Sequence, residues 1–221
     1  IKQAGLEIIG LHWLLAKTEG YHLTSPDAET RRRTAAYFEE LIRLCADLCE
    51  GTAAPVMVLG SPQQRNRADG VTPEMAYRNA AEVLGSLVDS LERHQVRIAL
   101  EPLGPAEGNF LNTAAEARHL QTQIGSDRFG LHLDVKAMST EPDDIPTVIR
   151  NNADWLLHFH ANDPNRRGPG MGDVDFVPII ATLREVGYDR WVSVEVFDYE
   201  PGARRLAEES IRTLQHALAV T

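Results

Sequence analysis

The chain has 221 residues, 43% hydrophobic and 24% charged, with 32 acidic against 22 basic side chains and a formal net charge of −10. At this length a chain buries roughly 70% of the surface its unfolded form exposes, so no disulfide or metal staple is needed to fold it. The acidic balance argues against nucleic acid or an anionic membrane as partner, since both demand a positive surface, and no apolar run nears the roughly 18 residues of a membrane span.

Six short apolar runs read as strands, each followed by a helical stretch. The first covers residues 6–15 and lacks the basic start and small-residue cleavage site of a signal peptide. A helix follows over 26–50, with Ser25 as N-cap and Pro26 at the first helical position. Cys45 and Cys49, four apart in that helix, read as buried reduced thiols of a cytoplasmic-type compartment rather than a disulfide framework. The second strand, 56–59, stops at Gly60-Ser61-Pro62, and its helix starts at Thr72-Pro73 and runs to about 94. The third, 96–100, leads into Glu101-Pro102; the next helix opens near Thr113, where Thr113-x-x-Glu116 fits a capping box. A fourth strand at 129–135 precedes a short helix at 145–151. A fifth at 155–160 is followed by a Gly- and Arg-rich loop and a helix at 176–186. A sixth at 191–197 is closed by a helix at 203–219.

Nearly continuous apolar strands alternating with helices predict βαβ units around a parallel sheet covered on both faces. No linker or low-complexity segment interrupts the series, so the reading is one domain over 1–221. An open doubly wound sheet normally carries G-x-G-x-x-G after an early strand, and Gly60-Ser61-Pro62 offers none. The alternative, a (β/α)₈ barrel, gains from the placement of the polar residues.

Four consecutive strands end in an ionisable residue set among apolar ones: Glu101, Asp134, His160 and Glu195, separated by 33, 26 and 35 residues, each close to one βα repeat. Residues two apart share a strand face, so Ala99 pairs with Glu101, His132 with Asp134, His158 with His160 and Ser193 with Glu195. In a barrel interior all four ends converge on the C-terminal mouth, where barrel enzymes place their chemistry. A single such residue reads most simply as a helix cap or an ion-pair partner. Three carboxylates and one imidazole on successive strands predict one divalent metal ion, Mn²⁺, Mg²⁺ or Co²⁺ by the oxygen-rich set, with the one histidine also admitting Zn²⁺.

The runs Ala99-Leu100-Glu101-Pro102-Leu103, Leu131-His132-Leu133-Asp134, His158 to Arg166 and Ser193-Val194-Glu195-Val196 resemble the sugar isomerase/epimerase superfamily with the xylose-isomerase-like TIM barrel, and within it the ketose 3-epimerases and hydroxypyruvate-isomerase relatives. The resemblance covers nearly the whole chain. It implies that Glu101, Asp134, His160 and Glu195 bind the metal, that Glu101 and Glu195 double as acid and base, and that Glu107 and Arg166 contact substrate. Two departures stand out. The run at 6–15 corresponds to the third barrel strand, so the chain is expected to lack the first two. A substrate-binding His three residues after the metal Asp is replaced by Ala137, with Lys136 beside it on the Asp134 face.

The implied reaction is proton transfer beside a carbonyl, through an enediolate, on a small hydroxylated carbonyl substrate. Arg166 and Arg167 introduce Gly168-Pro169-Gly170-Met171-Gly172, read as a mobile loop able to fold over substrate. Arg31, Arg32 and Arg33 read as a solvated face. Trp13, Trp155 and Trp191 read as strand residues in core or mouth packing, Trp13 being the one best placed to line a pocket. His12 and His22 read as structural, while His132 and His158 orient Asp134 and His160 from below. Three rivals stay open: a metal-dependent lyase or dehydratase on the same barrel, an abasic-site endonuclease, disfavoured by the acidic charge, and a non-catalytic sugar-binding barrel. A second copy of the chain is an admissible partner.

Overall fold

A computed structural model describes residues 2–221. They divide into two compact units, the first ending at Gly130 and the second beginning at Leu131.

The first unit runs β1 (Gly10–Leu11), α1 (Ala28–Leu48), β2 (Val56–Leu59), α2 (Pro73–Gly85), α3 (Val88–His94), β3 (Arg97–Leu100) and α4 (Ala114–Ile124), and includes the start of β4 (Phe129–Asp134). Its strands are parallel, with Gly10 opposite Val56 and Val56 opposite Arg97. β2 coincides with the predicted strand. β1 is far shorter, because Trp13, Leu15 and Lys17 adopt φ of 60°, 68° and 59°, which no strand accommodates. Gly10 itself is required by packing: a Cβ there would overlap the Val56 carbonyl. Trp13 is therefore a loop residue, 43% exposed and stacked on His12 at 5.6 Å between ring centroids.

The N-cap of helix α1 lies two residues later than predicted. Asp27 accepts from the Glu29 and Thr30 amides, and a carboxylate suits a helix N-terminus better than a hydroxyl; Ser25 Oγ accepts from the Asp27 amide instead. Thr72 caps α2 with Pro73 in its first turn, as expected, but the helix breaks at Ser86, whose hydroxyl turns back to the Val83 carbonyl, and resumes as α3. Thr113 caps α4 by accepting from the Glu116 amide, and the Glu116 carboxylate accepts from the Asn112 amide. Thr34, Phe38, Ile42 and Cys45 form the buried stripe of α1, at the helical spacing of an amphipathic element. Cys45 and Cys49 are buried thiols that form no disulfide.

The second unit contains the rest of β4, then α5 (Val135–Met138), α6 (Ile145–Asn152), β5 (Leu156–Ala161), α7 (Phe176–Glu185), β6 (Val192–Val194) and α8 (Ala203–Val220). β4 and β5 are buried along their whole length, as nearly continuous apolar runs demand. β6 is only half-buried and shorter than the predicted strand; Trp191 precedes it, 54% exposed, and is not a core residue. Trp155 is buried at the entry to β5 and donates its indole N–H to Asn152. Among the described residues no helix is long and apolar enough to cross a membrane.

Candidate metal centre

Parallel pairing in the second unit sets Asp134 opposite His160, and His160 opposite Ser193, two residues before Glu195. That register brings three of the predicted ligands together. His160 Nδ1 lies 3.2 Å from Glu195 Oε2 and 3.9 Å from Asp134 Oδ2. Asp134 closes β4 and caps the short helix after it: Oδ1 accepts from the Ala137 amide at 2.9 Å and Oδ2 from Asn162 Nδ2 at 2.6 Å. Burial pushes the Asp134 carboxyl up to about 6, the Ala137 amide pulls it back, the nearby Glu195 charge adds to the rise, and His160 and Lys136 oppose it.

His132 and His158 pack beneath. The His132 ring sits 4.1 Å from that of His160 and 5.3 Å from that of His158. His132, His158 and His160 can each present a ligand atom within 4.8 Å of the others, and so can His132, Asp134 and His160. The donor set is therefore richer in nitrogen than the strand-end residues alone suggest. Carboxylates and imidazoles crowded in a buried space are the chemistry that a divalent cation satisfies, because its charge offsets the desolvation each acid suffers. The residues present fit such an ion.

Glu101 belongs to the first unit, one residue beyond β3, and is buried. Its amide donates to the Leu59 carbonyl, and its own carbonyl accepts from Arg65 Nη1 at 2.6 Å, which also reaches the Leu59 carbonyl at 3.0 Å. Gly60 packs against the Glu101 carboxylate so closely that a Cβ would overlap it. Arg65 is almost fully buried; burial pulls its guanidinium down to about 10, while Glu101, Glu107 and Glu116 push it back up. Neither Arg65 nor Asn162 was anticipated from sequence. For Asn162 a signal existed, its place two residues after His160 on the same face; for Arg65 there was none beyond its closeness to the end of β2.

The expected substrate contacts lie in loops. Glu107 is exposed in the turn after β3, where its amide bonds to the Gly104 carbonyl. Arg166 is exposed at φ 72°, and its carbonyl accepts from the Phe197 and Asp198 amides. Its guanidinium carbon lies 5.9 Å from the Phe197 ring centroid, and Lys136 Nζ lies 5.5 Å from the same centroid. Lys136 sits on α5, so a strand-face relation to Asp134 does not apply; its amide donates to Asn162 Oδ1.

The glycine loop is packed rather than loose. A Cβ on Gly168 would overlap Ser210 of α8, one on Gly170 would overlap Thr213, and one on Gly172 would overlap the Asp163 carboxylate. Asp163 accepts from the Asn165 and Val174 amides, and Arg167 pairs with Asp198 and Glu200 at 2.9 Å each.

A profile of the family described as xylose isomerase-like TIM barrel matches residues 1–217. A probable ketose 3-epimerase of Synechocystis sp. is 28% identical over 187 residues, 82% of this chain and 62% of that protein. An L-ribulose 3-epimerase of Mesorhizobium japonicum is 29% identical over 178 residues, 80% of this chain and 59% of that protein. The chain thus spans about three-fifths of the length of these relatives. A D-psicose 3-epimerase crystallised in the presence of D-fructose superimposes with a TM-score of 0.83 at 24% identity, covering 98% of this chain and 79% of that one. The barrel expectation drawn from the strand ends is met.

Proposed function

The chain belongs to the xylose isomerase-like TIM barrel family, and from that premise we propose that it is a divalent-metal-dependent sugar isomerase or epimerase acting on a small hydroxylated carbonyl compound. The observation that carries the reading is the convergence of buried Asp134 and His160 with part-buried Glu195. Glu101 is assigned as the fourth ligand from its place at the end of β3, with Mn²⁺, Mg²⁺ or Co²⁺ favoured and Zn²⁺ admitted by the histidines. When bound, the metal supplies Lewis acidity at a carbonyl and an adjacent hydroxyl oxygen, which acidifies the neighbouring C–H.

The protein's own groups then move the proton. One glutamate, Glu101 or Glu195, takes it at a carboxylate oxygen from one face of the carbon, giving an enediolate, and the other glutamate returns a proton to the opposite face. His160 holds Glu195 at the strand end, and Asn162 holds Asp134 while supporting α5. Arg166 and Glu107 are assigned to substrate hydroxyls. The relatives named above are a probable ketose 3-epimerase and an L-ribulose 3-epimerase, which supports stereochemical change beside the carbonyl. The thiols of Cys45 and Cys49, which form no disulfide, are in keeping with a reducing, cytoplasmic setting. The test is product analysis of the Mn²⁺-loaded protein over ketoses and hydroxy-keto acids. A changed stereocentre or shifted carbonyl at constant mass is expected; a dehydrated product alone overturns the assignment in favour of a lyase.

A further inference from the structure

Asp134 carries two duties at once. As the cap of α5 it takes the Ala137 amide at Oδ1, 2.9 Å away, and as a candidate ligand it turns Oδ2 toward His160, whose Nδ1 lies 3.9 Å off. α5 is a single turn, Val135–Met138, too short to hold its own N-terminus by helix cooperativity. The side chain that serves both duties is Asn162, which follows β5 and is fully buried. Its Oδ1 accepts from the Lys136 amide at 2.9 Å, and its Nδ2 donates to Asp134 Oδ2 at 2.6 Å. The direction of the second bond is forced. A backbone N–H can only donate, so it claims the side-chain oxygen and leaves the NH₂ group to face an ionised carboxylate that can only accept.

The helix cap alone would fix one oxygen of Asp134, and the terminal torsion of an aspartate is broad when nothing else restrains it. With the Ala137 amide on one oxygen and Asn162 on the other, the plane of the carboxylate is set, while lone pairs remain for a cation. Asn162 does this without a charge of its own. A lysine or arginine in its place would orient the acid but repel the ion that the acid has to hold. We propose that Asn162 is a positioning residue of the metal centre, which orders Asp134 before the cation arrives and on which much of the affinity for that cation depends. This rests on the reading of Asp134 as a metal ligand and goes beyond it by naming a residue that governs metal binding through its neighbour.

The test is Mn²⁺ titration, followed by calorimetry, of the full chain stripped by chelator. Asn162→Ala removes both bonds; Asn162→Leu removes them while keeping the volume, which covers the case in which the smaller side chain fails to fold. Asn79→Ala is the matched control, since Asn79 is also buried and also makes two hydrogen bonds, to the Thr24 and Ser25 carbonyls of the first unit. The proposal expects Mn²⁺ binding to weaken about ten- to a hundred-fold in each folded Asn162 variant and to match the wild type in Asn79→Ala. A purely structural role would lower the urea-unfolding midpoint of the Asn162 variants without moving their Mn²⁺ affinity. Wild-type affinity in a folded Asn162 variant, or an equal loss in Asn79→Ala, overturns the proposal and leaves the metal reading in place. A wild-type chain that takes up neither Mn²⁺, Co²⁺ nor Zn²⁺ overturns the metal reading itself, and the proposal with it.

Discussion

Glu101 and Glu195 are cast as partners in one proton transfer, yet the two units hold them differently. Glu101 is buried, with its amide and carbonyl both fixed at the ends of β2 and β3 by Leu59 and the guanidinium of Arg65, and with Gly60 as a floor under its carboxylate. Glu195 stands one residue past a three-residue, half-buried strand and leans on the imidazole of His160. The first carboxylate is positioned by the scaffold. The second is positioned by a side chain that is itself a candidate ligand, so cation loss should disturb it more.

The largest effects should test whether both carboxylates are needed. Glu101→Gln and Glu195→Gln should each lower turnover by about a hundred- to ten-thousand-fold while Mn²⁺ binding, followed by calorimetry, is weakened but persists. Full turnover in either variant breaks the pairing. Next comes the scaffold contrast. Arg65→Met removes a buried cation that serves two carbonyls and should cost about 3–5 kcal/mol in urea unfolding. Arg167→Met breaks pairs that are a third or more exposed and should cost about 1 kcal/mol or less. Equal costs would remove the distinction between the two regions.

Smaller effects sharpen it. Gly172→Ala forces a methyl against the Asp163 carboxylate and should cost about 1–3 kcal/mol, with KM rising more than kcat falls as the loop carrying Arg166 shifts. The metal-free protein should also respond to pH at Asp134. This carboxyl titrates near 6 in the fold against 3.8 ordinarily, so the folded state binds the extra proton and gains stability as pH falls from about 7 toward 4. The capping carboxylate Asp27, held below its ordinary value by the Thr30 hydroxyl and amide, acts oppositely and loses its contribution only in stronger acid. Thermal melts of the metal-free protein and of Asp134→Asn between pH 5 and 7 should differ in slope; parallel curves would contradict the assignment.

The parts of this fold legible in the sequence are those governed by local chemistry repeated over several residues. Residues 56–59 and the runs around His132 and His158 read as buried strands because unbroken apolar stretches admit little else, and Thr72, Pro73 and Thr113 announce their helices through capping groups. β1 and β6 are shorter than their apolar runs, since apolar residues that take positive φ or lie at an exposed edge look the same in sequence as strand interior. The strand-end residues were found by spacing. Arg65 was not, because a buried guanidinium is defined by the distant carbonyls it serves. The loop from Gly168 to Gly172 looked mobile because glycine signals both freedom and close approach, and only the positions of Ser210, Thr213 and Asp163 separate the two.

The central claim, metal-dependent proton abstraction beside a carbonyl, is tested most directly by deuterium uptake from D₂O. Neutral and anionic ketoses would be incubated with the protein stripped by chelator and with the same protein reloaded with Mn²⁺. The account predicts label at the carbon beside the carbonyl in the reloaded sample and little in the stripped one. Uptake that is absent from every ketose after reloading, or undiminished after stripping, would contradict it.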